Sequence, residues 1–423
     1  MDNMNKKEKI LFILAQLFFL TLLLPYNDIV SGFITGGLML SCLLYDPIRQ
    51  KIALFKERKH LWWMMFFILW MGISLFSSSN KEEILPTLDP RLPLGYLAVT
   101  IGLLNLRKGF KEIILLGFAT LTTIVCLACL IMSVYNYFNT HNPDFFYNDA
   151  LTLLTTQQSI YISVFVNISI YVFAYFFFFK VKKYKGWLLA GIVFLFGISY
   201  LLASRNQMIV LYSSTIVFIL YYIVKRREYT KGTLILMSVL LAGILILKFF
   251  PKTLNRFQDI GYTAFEYQHE GTESHYSNET TADQWNGANF RLAAWKCGWE
   301  LFKQHPLAGT HVADKSDKIL EKYKEKNFQF ALRTKKNLHN NYLDILVGMG
   351  IIGLFLFLMG WLILPMKVAF SDGDFLSVLI ILTFGIAMIT EVYFDRSLGG
   401  MLVGFFIPFL LTGKRDNYAL SVK

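Results

Sequence analysis

The sequence predicts an all-α, polytopic membrane protein, and three observations carry that expectation. Hydrophobic residues fill 55% of 423 positions against 17% charged. Apolar stretches of spanning length recur from end to end, and the basic residues cluster between them. About twelve spans are expected, near residues 9–25, 29–45, 61–78, 93–106, 113–138, 158–179, 187–203, 207–224, 233–250, 341–366, 375–392 and 397–413. The fourth is short and reads as tilted or partly re-entrant. The first follows the basic start MDNMNKKEK and shows no small-residue cleavage site, so it reads as a retained span rather than a removed signal.

Charge sets the topology. A net charge of +12 would suit nucleic acid if it were gathered in one domain. Here it is dispersed through short loops, as expected of cytoplasmic connections facing anionic lipid, so nucleic acid is not an expected partner. With a cytoplasmic N-terminus, RQKIALFKERKH, LRKGFKE, KVKKYK, KRREYTK and the tail beginning GKRD share the inner side. PYND, NKEEILPTLDPRLP, the Lys- and Arg-free stretch 139–157, SRNQ and the long segment 251–340 share the outer side. Three parts follow: spans one to nine over 1–250, an outer loop subdomain over 251–340, and spans ten to twelve with a cytoplasmic tail over 341–423. Cys42, Cys126 and Cys129 lie in apolar runs and Cys297 in the large loop; no disulfide framework or zinc spacing is legible.

Within the large loop, NFRLAAWKCGWELFKQHP predicts an amphipathic helix on or near the membrane through Phe290, Leu292, Ala293, Trp295, Gly298, Trp299 and Phe302. Pro306 is expected to end it. The polar stretch 268–287 reads as a mobile loop, and KSDKILEKYKEKNFQFALRTKK as a short, solvent-covered helix.

Three outer residues are candidates for chemistry. Arg205, in the turn ASRNQM, is held at membrane depth; snorkelling to the interface is its ordinary alternative. Arg291 opens the amphipathic helix, where the alternative is a solvated charge. His339 stands in KNLHNNYLDILVGMGIIG at the lip of the tenth span. An interfacial residue is its default, but a neutral imidazole with an ordinary pKa of about 6.5 also accepts protons at neutral pH. Two fixed cations and one base suit a diphosphate at the membrane surface. Arginine forks bind phosphate oxygens in bidentate fashion, and the base takes the proton of an incoming hydroxyl while the bond to diphosphate breaks. That chemistry requires no metal or cofactor. Glu391, Asp395 and Arg396 in TEVYFDRS either orient His339 or bind sugar, or form a solvated turn. Arg91 in DPRLP, His305 and His311 also lie outward, as substrate contacts or simply as solvated and capping groups.

These segments together resemble the O-antigen ligase and Wzy-type polymerase superfamily. The resemblance rests on Ser204 and Arg205; on Arg291 and Trp295 with Pro306 and Gly309; and on His339, Asn340, Tyr342 and Leu343 running into Gly350 and Gly353. It covers the architecture of the whole chain, with sequence detail confined to about 200–360. It implies a GT-C-type glycosyltransferase of the bacterial inner membrane that moves a glycan from undecaprenyl diphosphate to an acceptor at the periplasmic face, inverting and metal-independent. Arg205 and Arg291 become the diphosphate clamp and His339 the base, with Asn340, Tyr342, Glu391, Arg396 and Arg91 as secondary candidates. Asn206 departs from the glycine usual after the Ser-Arg pair, PLAGTHVAD lacks the usual Gly-x-Gly, and no acidic residue stands near Gly348. A lipid A-core ligase is the leading expectation because the large loop falls late in the chain. A lipid-linked polymerase and a protein O-oligosaccharyltransferase share its donor chemistry. A transporter would call for mid-span charges and a two-fold repeat, which the sequence does not offer.

Overall fold

The computed structural model describes residues 4–25, 28–181, 183, 185–249, 261–271 and 285–413. Every expected apolar segment is helical, and no strand occurs among the described residues. Six helices are long and apolar enough to cross a membrane: Asp28–Tyr45, Lys59–Phe76, Lys108–Thr140, Ser159–Lys180, Arg205–Arg226 and Asn341–Ser371. The expected twelve spans therefore appear as six such helices and a set of shorter or more charged ones, among them Gly186–Leu202, Phe375–Ala387 and Ser397–Leu410. Phe33, Phe76, Ile131, Phe138, Val193 and Leu241 stand exposed, an apolar belt that suits lipid rather than water.

The short fourth segment is a helix only over Leu92–Gly102. Beyond it the chain is extended enough for the Leu106 N–H to donate to the Thr412 carbonyl at 3.0 Å. Arg58 satisfies the carbonyls this leaves over, donating to Leu104 at 2.8 Å and Thr412 at 3.3 Å as well as to Gly102. A basic residue expected only to set topology thus caps a helix that stops early.

Loops that the charge pattern groups together contact one another. Glu8 pairs with Arg107 at 2.8 Å, Lys111 with Asp374 at 2.6 Å and Glu112 with Lys180 at 2.7 Å, all joining loops of the expected inner set. At the other end, Asp314 accepts from the Ser79 and Asn80 N–H groups, both at 2.7 Å.

That end also holds a buried ion network. Arg91 pairs with Asp395 at 2.6 Å, while Lys315 reaches Asp344 at 2.6 Å and Asp395 at 3.1 Å. Arg91 and Asp395 are therefore not solvated, as a turn and a helix end had suggested; Arg91 is only 5% exposed. Burial opposes the Asp395 charge, but Lys315 and Arg91 outweigh it and hold the carboxyl below its usual range. The sign for stability follows. A depressed folded pKa stabilises fully above the unfolded value of about 3.9 and is lost as pH falls through the folded value. Lys315→Met would leave Asp344 without its ion partner and Asp395 with Arg91 alone. We expect it to destabilise the detergent-solubilised protein by about 3–5 kcal/mol in denaturation midpoints, with Lys315→Met/Asp344→Leu recovering part of the loss.

A second, smaller core belongs to the large loop. Trp285, Phe290, Ala293, Cys297, Leu301, Ile319, Tyr323, Phe328 and Leu338 cluster there, joined by Leu343 and Val347 of the following helix. The helix Asn289–Gln304 ends before Pro306 as expected, but its buried face runs through Phe290, Ala293, Ala294, Cys297, Gly298 and Leu301. Leu292 and Trp299 are exposed on another side. The sequence reading merged two faces because tryptophans and small residues alternate round this helix. The solvent-covered helix is likewise two helices, Lys315–Glu325 and Gln329–Thr334, whose Ile319, Tyr323, Phe330 and Ala331 are buried. Of the expected mobile loop, 272–284 lies outside the described residues; Trp285, at its end, is 1% exposed in the core.

Burial raises the Cys297 thiol to about 11. At neutral pH Cys297 is expected to stay unmodified by maleimide in the folded protein and to react on denaturation, a contrast read by mass spectrometry.

Gly350, at φ +66°, breaks the helix Asn341–Phe357, and the loop after Pro306 enters the break. Ile351 N–H donates to the Pro306 carbonyl at 2.9 Å, and Thr310 N–H to the Val347 carbonyl at 2.7 Å. A Cβ on Gly350 would strike the Leu307 backbone, so glycine is needed there for both conformation and space. Gly353 faces its own helix's Met349 side chain.

Candidate active site

A cavity of about 800 Å³ opens at the end of the bundle that carries the large loop, within the range of small-molecule sites. Arg205, Arg291 and His339 all line it, as do Glu391 and Arg396. Asn340, Tyr342 and Arg91 do not. Asn340 caps the helix Asn341–Phe357 by accepting from Leu343 N–H at 3.0 Å, the Tyr342 hydroxyl donates to the Gly385 carbonyl, and Arg91 belongs to the buried ion network.

Each residue reaches the cavity for a local reason. Ala203, in the left-handed region at φ +48°, ends one helix; Ser204 is extended, and Arg205 begins the helix Arg205–Arg226. The first turn of a helix, its positive end, therefore borders the cavity together with the Arg205 guanidinium. Arg291 and Trp295, four apart on the helix Asn289–Gln304, share one face. Arg291 Nε donates to the Thr390 carbonyl at 3.2 Å, and Nη1 donates to the Gly287 carbonyl. Trp295 Nε1 donates to the Leu338 carbonyl at 2.9 Å, tying this helix to the residue before His339.

Gly287 stands between the two arginines. A Cβ there would meet the Arg205 guanidinium and lie 2.9 Å from Arg291 Nη1. The two cationic heads thus converge on one point of backbone that carries no side chain. Nothing in the sequence singled out this glycine, since a lone Gly before a helix ordinarily reads as a turn.

His339 is held from several directions. Its backbone occupies the left-handed region at φ +46°, uncommon for a residue with a side chain, and its N–H donates to Asn337 Oδ1 at 3.0 Å. The same Asn337 donates from Nδ2 to Asp395 Oδ2 at 3.0 Å, linking the histidine's backbone to the ion network. His339 Nδ1 lies 3.1 Å from Glu391 Oε2, and the ring meets Phe290 edge to face at 5.8 Å. Glu391 is only 6% exposed, so the solvated-turn reading of this segment fails for it: a carboxylate buried against an imidazole orients the ring. With Nδ1 engaged, Nε2 is the ring nitrogen left to accept a proton.

Lys335, Lys336 and Arg396 add positive charge to the wall, against the acids Asp149 and Glu391. Lys336 Nζ lies over the Phe290 ring at 5.0 Å, and the Arg396 guanidinium over Tyr161 at 5.9 Å. Sequence reasoning missed Asp149, Asn337, Thr390 and the lysine pair. Only Asn337, two residues before the histidine in an Asx-turn spacing, left a signal. His305 and His311 do not line the cavity, and both remain structural in this account.

No curated protein matches the chain. A family model described as O-antigen ligase matches residues 190–358, the stretch that supplies Arg205, Arg291 and His339. Over residues 190–358 the chain is thus similar to the O-antigen ligase family, a group of glycosyltransferase-like membrane enzymes, and six of its described helices are long and apolar enough to cross a membrane.

Proposed function

We propose that the protein transfers a glycan from undecaprenyl diphosphate to a lipid A-core acceptor at the periplasmic face of the bacterial inner membrane. Both termini are then cytoplasmic, and residues 251–340 form the periplasmic part between two membrane portions. The observation that carries this reading is the meeting of two arginines and a carboxylate-backed histidine on one cavity, brought there from three distant parts of the chain.

In this mechanism the acceptor hydroxyl attacks the anomeric carbon from the face opposite the leaving group, inverting it. The new C–O bond forms as the bond from sugar to diphosphate breaks. His339 takes the hydroxyl proton, Glu391 stabilises the resulting imidazolium, and Arg205 and Arg291 receive the charge that develops on the lipid diphosphate. Fixed guanidinium groups supply the electrostatic stabilisation a metal ion would otherwise provide.

The test is glycan transfer by the purified protein in detergent with EDTA, offering lipid-linked donor together with lipid A-core. Ligated product at an unchanged rate in chelator supports the reading. Longer lipid-linked chains would identify a polymerase instead, modification of an added protein hydroxyl an O-oligosaccharyltransferase, and no donor turnover with any acceptor would overturn the assignment.

A further inference from the structure

Asn206 is the residue that departs from the glycine expected after the Ser-Arg pair, and its side chain is fully used. Nδ2 donates to the Ile386 carbonyl at 3.0 Å and to Thr390 Oγ1 at 2.8 Å. Both acceptors lie where the helix Phe375–Ala387 gives way to the turn carrying Glu391. That turn serves both halves of the site. The Thr390 carbonyl accepts from Arg291 Nε at 3.2 Å, and the next residue, Glu391, contacts His339 Nδ1 at 3.1 Å.

Resting on the function proposed above, we infer that Asn206 is a positioning residue that sets the spacing between the diphosphate clamp and the base by fixing the Thr390–Glu391 turn. The geometry explains why a side chain serves here where glycine would not. After Met388 the helix loosens into single three-residue turns, Ile389 N–H to the Ile386 carbonyl at 3.0 Å and Thr390 N–H to Ala387 at 3.3 Å, and the turn has to keep one carbonyl and one carboxylate aimed at partners on two other elements. Asn206 sits beside Arg205 on the first turn of its own helix, so its amide also relates that arginine to Arg291. One side chain on the cavity wall therefore couples Arg205, Arg291 and His339.

The test combines activity with a readout independent of it. Asn206→Ala removes the bonds to both Ile386 and Thr390, Thr390→Val removes the second of them alone, and Thr390→Ser keeps the hydroxyl. Hydrogen–deuterium exchange over peptides covering 386–396 is expected to speed up in the first two and to remain as wild type in Thr390→Ser. Transfer kcat is expected to fall about ten- to a hundred-fold in Asn206→Ala, as for a catalytic geometry displaced by a fraction of an ångström. Asn206→Ala/Thr390→Val is expected to lose little beyond Asn206→Ala, because the bond removed by Thr390→Val is already absent there. Thr390→Ser is expected to rescue both readouts. Unchanged exchange in Asn206→Ala, or faster exchange with undiminished kcat, overturns the inference, as does full additivity of the two losses. A wild type that turns over no donor counts against the proposed function instead, and exchange alone then decides whether Asn206 anchors the turn.

Discussion

Replacing His339 with alanine is expected to lower glycan transfer by about 10²- to 10⁴-fold, the usual contribution of a positioned general base, while donor binding stays close to wild type. In the proposed mechanism His339 contributes through the proton, and the diphosphate is held by the arginines. Glu391→Gln should give a smaller loss. It keeps an oxygen near His339 Nδ1 but removes the charge that stabilises the imidazolium formed as the hydroxyl is deprotonated. His339→Gln, which retains size and polarity but titrates nowhere near neutral pH, should resemble alanine rather than wild type. Single-turnover rates with saturating donor check this order.

The second large effect belongs to the clamp. Arg291→Ala and Arg205→Ala are each expected to weaken donor binding and to reduce kcat, because the guanidinium groups meet diphosphate charge that grows as the sugar bond breaks. Arg291→Lys keeps the charge but not the fork that also bonds to Thr390 and Gly287, so it should recover only part of the loss. Gly287→Ala provides an independent check. Its Cβ would displace both guanidinium heads, which are the far ends of flexible side chains. The protein should therefore fold with an unchanged melting midpoint yet lose donor affinity. Loss of binding with intact stability at a position without a side chain would identify the convergence of the arginines, rather than either charge alone, as the functional feature.

How much of this was legible in the sequence depended on the kind of signal. The apolar helices were, because lipid requires long runs of one character and every such run is helical. Sidedness was expected from loop charge, and loops grouped by that charge do contact one another. Arg205, Arg291 and His339 stood out because ionisable groups at span ends are costly, and they share one cavity. What the sequence did not reveal was pairing across distance. Glu391 and Arg91 looked alike as acid and base in outer turns, yet one backs His339 and the other is buried against Asp395. Lys315, in a run of charges that reads as solvated, reaches two buried carboxylates. Gly350 carried no mark distinguishing a helix break that receives the Pro306 loop from a helix-packing glycine, since both call for a small residue.

The central claim is the division of labour between an arginine clamp and a histidine base. It is tested most directly by measuring undecaprenyl diphosphate-donor binding and glycan transfer in parallel for His339→Ala. Binding within about two-fold of wild type together with transfer reduced at least about a hundred-fold is the predicted result. Undiminished transfer, or a loss of binding that accounts for the whole loss of transfer, would contradict it.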